Sequence, residues 1–158
     1  MLNQQGSRNC YNSGNSGISS KIFYFLFIFL FLLDVSKTQE ADCDLYQFVN
    51  LGSLYYIYNL EYPDYVTGTK YCRFRAEAPE GYRILLECED INIPSSLLCL
   101  NQYLSINTNP DSILSIPSIF CGIGTMTMSS VNNKMTVIYR SLPTGRPARF
   151  FCNVTSVA

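Results

Sequence analysis

The side chains that most often do chemistry are unevenly represented in this sequence. It holds seven cysteines, 12 Asp and Glu, 11 Lys and Arg, and no histidine. Without histidine there is no general base titrating near neutral pH, and the commonest zinc ligand is missing. Neither a Ser-His-Asp nor a Cys-His hydrolytic centre can be assembled from these residues. A carboxylate pair could still act as acid and base, but such a pair leaves no spacing to recognise. No catalytic residue is assigned. Glu87, Glu89 and Asp90 are neighbouring acids beside Cys88; at a strand end, solvated carboxylates are the simpler account of them. No metal and no cofactor is expected.

The cysteines point to structure rather than reactivity. Cys10 lies ahead of an apolar run and would leave with it, so six remain: Cys43, Cys72, Cys88, Cys99, Cys121 and Cys152. An even number behind a secretory segment implies a disulfide framework, and six cysteines allow fifteen connectivities. A zinc site is disfavoured, since no CxxC pair exists to build it. Asn153-Val154-Thr155 is an acceptor motif for N-glycosylation at Asn153.

The net charge is -1, and basic residues are scattered, with Arg73 and Arg75 the closest pair. Arg140, Arg146 and Arg149 read as a solvated face, so no nucleic-acid partner is expected.

These residues need elements to position them. From 22 to 33 the chain is continuously apolar, preceded by Lys21 and closed by Asp34. That length suits the core of a signal peptide and falls short of the ~20 residues that span a bilayer. Residues 1–38 are read as a polar leader and signal peptide, and 39–42 as a short mature N-terminal stretch. Residues 43–155 are read as the folded domain, with cleavage expected between about Ser36 and Ala41. Retained, the apolar run would act as a weak type II anchor.

After a polar stretch at 37–44, the chain reads as strands separated by turns. Residues 54–58, 71–76, 100–106, 134–140 and 149–154 are strand-like, and so is a run from Tyr82. Cys72, Phe74 and Ala76 share one face of theirs, with Arg73 and Arg75 opposite. Tyr82, Ile84, Leu86 and Cys88 share another, and so do Met135, Val137 and Tyr139. Turn signals fall at 62–65, 66–68 and 78–81. Short strands at this spacing, with no convincing helix, predict an all-β antiparallel sandwich. Of the tyrosines at 55, 56, 58, 62, 65 and 71, alternate members are expected in its core, the rest along the turn.

The order of motifs resembles a CUB domain from Cys43 to about Val154. Tyr58-Asn59-Leu60-Glu61-Tyr62-Pro63 resembles the family's SPNYP turn. Cys72-Arg73-Phe74-Arg75-Ala76 resembles its CxWxI strand, with Phe74 in place of tryptophan. Ala78-Pro79-Glu80-Gly81-Tyr82-Arg83-Ile84 is close to APxGYRI, and Phe120-Cys121-Gly122 to FCG. The run from Ser129 to Val137 is similar to SSxNxMxV.

The resemblance implies a CUB-like jelly-roll sandwich with bridges Cys43–Cys72 and Cys99–Cys121. It leaves Cys88 and Cys152 on neighbouring strands, as a third pair. Many CUB domains bind calcium through three acids, but Pro94, Gln102 and Leu142 stand at those positions here. A calcium site of the family type is therefore not expected.

The third cysteine pair is most similar to CUB modules of insect secreted and venom proteins, where the module often precedes a trypsin-like protease domain. The implied function is that of a secreted, non-enzymatic protein, a venom or salivary component. It would bind an extracellular protein or glycan through its loops, with no membrane contact in the mature form. The alternative is a truncated regulatory CUB module of a trypsin-like serine protease lacking its catalytic domain.

Overall fold

Strict alternation sets the framework. Along Lys134–Ser141 each second residue is buried, from Met135 through Val137 and Tyr139 to Ser141, so one face turns inward and the other to water. In the computed structural model, which describes residues 43–158, nine strands are present among the described residues. They are β1 (Cys43–Phe48), β2 (Tyr55–Tyr58), β3 (Lys70–Glu77), β4 (Arg83–Ile93) and β5 (Gln102–Asn107). After these come β6 (Ser118–Phe120), β7 (Gly122–Ser129), β8 (Lys134–Ser141) and β9 (Arg149–Val157). The expected signal segment at 1–38, with its apolar core at 22–33, and the 39–42 stretch lie outside the described residues.

The strands form a five-stranded sheet, β1-β3-β8-β5-β6, and a four-stranded sheet, β2-β9-β4-β7. The fold is the expected disulfide-bonded β-sandwich, with one departure. β1 pairs with β3 in parallel, Cys43 opposite Cys72 and Phe48 opposite Glu77, while every other pairing between named strands is antiparallel. The chain leaves β1, crosses to the other sheet for β2 and returns for β3. Two crossings reverse its direction twice, so β1 and β3 point the same way.

The core joins Phe74, Ile84, Leu86, Ile91, Leu104, Ile106, Met135, Val137, Tyr139 and Phe150 from both sheets. Phe150 sits at its centre, edge-on to Phe74 at 6.1 Å and 5.3 Å from Tyr139. Burying one such side chain is worth ~2 kcal/mol or more. Asn59, 4% exposed, fastens the β2–β3 connection to this core. Its Oδ1 accepts from the Phe150 amide at 3.0 Å, and its Nδ2 donates to the Asp64 carbonyl at 3.1 Å.

Three disulfides reinforce the sheets. Cys43–Cys72 joins β1 to β3, and Cys88–Cys152 joins β4 to β9 with both partners buried. Cys99–Cys121 ties the β4–β5 connection to the junction between β6 and β7.

Candidate functional site

The strand directions gather the 59–69, 94–101 and 142–148 connections and the Cys121 junction at one end of the sandwich. This end holds Pro94, Gln102 and Leu142, the three positions at which the resemblance implies acids in calcium-binding CUB domains. Gln102 is 1% exposed, and its Nε2 donates to the Arg146 carbonyl at 2.7 Å. The Leu142 amide donates to Asn101 O at 3.0 Å, and the Gly145 amide to Leu142 O at 2.8 Å. A Cβ on Gly145 would collide with Ser141 Oγ and lie 2.9 Å from the Gln102 amide, so the loop closes on this tie only with glycine there. Calcium requires six to eight oxygens, several of them carboxylate. Pro94, Leu142 and a glutamine whose nitrogen faces a carbonyl do not fit that ion. A neutral buried amide connects these loops instead.

Beside this tie lies an apolar tip. Leu97, Leu98 and Leu100 are 80%, 79% and 61% exposed, and Ile123 is 80% exposed. Leu97–Cys99 forms a single 3-10 turn in which Leu98 and Cys99 have φ of 51° and 55°. Bulky residues rarely adopt this left-handed region, and such backbone persists only where its surroundings enforce it. Here the Cys99–Cys121 bridge pins the turn to the sheet. Ile123, on the strand leaving that bridge, lines an open depression with Pro94, Ser95, Arg146 and Pro147. Four apolar side chains are thus exposed at this end.

The remaining candidates fall elsewhere. Glu89 accepts from Asn153 Nδ2 at 2.7 Å, and Asp90 pairs with Arg149 at 3.0 Å. Among the described residues, no group of three or more His, Cys, Asp or Glu is placed to hold a metal. Arg149 also lies over the Tyr65 ring, 4.9 Å from its centroid, whereas Arg140 belongs to the other sheet.

The tyrosines divide. Tyr55 packs against the core, while Tyr56, Tyr58 and Tyr62 surround Phe151 on the outer face of the four-stranded sheet, with centroids 5.4, 6.2 and 5.1 Å away. Sequence reasoning did not reach Phe151, about ninety positions from these tyrosines; only the β2–β9 register makes it their neighbour.

Asp44 and Tyr139 are among the titratable groups that respond to their surroundings. The Arg73 hydrogen bond holds the Asp44 carboxyl below its ordinary pKa, and burial pushes the Tyr139 phenol up, against the pull of Gln102 and Ser141.

The molecule is a two-sheet sandwich with one disulfide inside each sheet and a third between its connections. Residues 47–152 match the family model of the CUB domain, and the chain belongs to that family. CUB domains are non-catalytic modules. Over 137 residues the chain is 31% identical to venom serine protease 34 of Apis mellifera, covering 87% of this chain and 30% of that protein. It thus spans less than a third of that relative's length. Among solved structures it is similar to the full extracellular region of zebrafish Gpr126/Adgrg6. There the TM-score is 0.61 at 18% identity, over 71% of this chain and 14% of that one. It is also similar to the CUB1-EGF-CUB2 domains of rat MASP-1, with a TM-score of 0.59 at 22% identity, over 71% and 42%. These two likenesses concern the fold. No helix among the described residues is long and apolar enough to cross a membrane.

Proposed function

We propose that this chain is a secreted, non-enzymatic CUB protein, a venom or salivary component that binds an extracellular protein with the loop end of its sandwich. The observation that carries this reading is the apolar tip of Leu97, Leu98 and Leu100, held outward by Cys99–Cys121. Exposed leucines on a pinned turn lose little entropy on docking and gain apolar burial. A protein surface offers that burial, whereas a glycan, rich in hydroxyls, offers little. The likeness to a venom protease supports the secretory setting.

Labelled wild-type chain and a Leu97→Ser/Leu98→Ser variant, compared on arrays of purified extracellular proteins and of glycans, test it. Binding to a protein by the wild type alone is expected. Equal binding by both, or binding to glycans only, refutes the loop-end assignment. Secretion is tested separately by the N-terminus of the product in the medium; a start upstream of Ile22 refutes signal cleavage.

The 30% coverage of the protease relative favours one second reading, a regulatory module of a trypsin-like protease. An in-frame protease domain in the transcript downstream of Ala158 would establish it.

A further inference from the structure

The outer face of the four-stranded sheet carries an aromatic array and, on the same strand, an acceptor for a sugar. Phe151 lies at the centre of the array, stacked on Tyr56 at 5.4 Å and on Tyr62 at 5.1 Å. Tyr56 and Tyr58 remain 52% and 42% exposed. The next outward residues along β9 are Asn153 and Thr155, the two required members of the N-glycosylation motif. Two strand positions set Phe151 and Asn153 about 6.7 Å apart on one face. Across the ladder Asn153 stands opposite Tyr56, where side chains approach to ~5 Å. The acceptor amide therefore has an aromatic side chain beside it along the strand and another across it. The period of two that aligns Asn153 with Thr155 also aligns both with Phe151.

We propose that Asn153 carries an N-linked glycan whose first N-acetylglucosamine packs against the Tyr56–Phe151 stack. The chain's own sugar, and not a separate partner, then covers this face. A pyranose ring presents a face of C–H groups that packs on an aromatic ring as another apolar surface does, while its hydroxyls stay in water.

The side chain is already oriented for this. The amide oxygen Oδ1 is buried, and Nδ2 donates to Glu89 Oε1 at 2.7 Å in an exposed pair. A carboxamide nitrogen has two N–H groups; glycosylation uses one and leaves the other for Glu89. The donor is an oligosaccharide on a lipid pyrophosphate. Nδ2 attacks C1 of its first sugar, the C1–N bond forms and the C1–O bond breaks. The lipid pyrophosphate departs with the electron pair, and the displaced amide proton passes to a base of the transferase. In the folded domain Asn153 lies mid-sheet between β2 and β4, next to the bridged Cys152. The transfer must therefore precede closure of this sheet, during translocation, and so rests on the secretory part of the proposed function.

The full chain is expressed in insect cells and its secreted form weighed intact, beside Asn153→Gln and Thr155→Ala. A glycan in the wild type, absent from both variants, is the expected result. A secreted wild-type chain without sugar on Asn153 overturns the proposal. If the chain stays in the cells, the measurement is repeated with a foreign secretion signal ahead of residue 39, which keeps failure of secretion distinct from failure of glycosylation. The glycan is then trimmed enzymatically to a single N-acetylglucosamine. Its Tm should exceed that of Thr155→Ala by about 3 °C, and most of that gain should vanish in a Tyr56→Ala background. An undiminished gain refutes the packing. Should Tyr56→Ala not fold, the NMR shift of the sugar's N-acetyl group decides: displacement upfield by ring current supports the contact, and the value of a free sugar refutes it.

Discussion

The two sheets share one core and present opposite outer faces. Outside the five-stranded sheet, Asp44 pairs with Arg73 and Arg75, Tyr46 donates to Glu77, and Lys134 pairs with Asp111. Outside the four-stranded sheet, Tyr56, Tyr58 and Tyr62 stack around Phe151. The exposed ion pairs stabilise the fold little and weaken further with salt. They keep an edge-terminated sheet in solution more than they hold it together. The aromatic face adds packing beyond its sheet but leaves apolar rings in water. Inward positions of the two sheets are interchangeable in kind, because one core demands the same chemistry of both. Outward positions are free of that demand, and specialisation appears there.

The disulfides repeat the contrast, one joining an edge strand and one joining two central strands. By loop closure, removing Cys88–Cys152, with a separation of 64 residues, costs about 4 kcal/mol. Removing Cys43–Cys72, separated by 29, costs about 0.7 kcal/mol less on the same model. The buried cavity left by the first pair widens the gap. Urea unfolding of the two double Cys→Ala variants measures both, and equal or reversed losses would remove the asymmetry between the sheets.

At the loop end that both sheets support, Gln102→Leu strips the Arg146 carbonyl of its donor and should cost about 2 kcal/mol. Proteolysis should then open the 142–148 loop first, whereas cleavage elsewhere would show that the amide is not the tie. On the aromatic face, Phe151→Ala should cost about 1 kcal/mol from ring stacking beyond the area it buries. A Tyr56→Ala/Phe151→Ala double-mutant cycle with zero coupling energy would dissolve the array into independent surface residues.

The smallest effect belongs to the charged face. The Asp44 carboxyl has a folded-state pKa below its ordinary 3.8, chiefly through the Arg73 hydrogen bond. Its contribution is therefore present above that ordinary value and lost as pH falls through the lower folded one. Asp44→Asn should lower Tm slightly at neutral pH, with the difference closing below about pH 3.8 and in molar salt. A difference that persists in acid would mean that charge is not its source.

Much of the framework was legible because alternation is local. Met135, Val137 and Tyr139 share a buried face, as do Cys72 and Phe74. The edges were less legible. β1 begins inside the polar stretch at 37–44, and with five of its six residues exposed no apolar period marks it. β7 is hard to read because glycines stand at its inward positions 122 and 124 while apolar Ile123 faces out, although Met126 and Met128 pack on the core. The non-acidic side chains of Pro94, Gln102 and Leu142 are plain from the residues themselves. That Gln102 would become a buried tie is not, because its acceptor is the backbone of Arg146, 44 residues away.

From the sequence alone follow an all-β chain, the inward face of each well-patterned strand, an even set of cysteines and the Asn153 motif. All depend on neighbours one to a few positions apart or on simple parity. Parity leaves fifteen cysteine connectivities, of which the family resemblance singles out one. Only the tertiary structure decides that β1 runs parallel to β3 and that Phe151 meets Tyr56. Those facts depend on register between distant strands, which is set when two sheets must bury their apolar faces together while pairing their backbones.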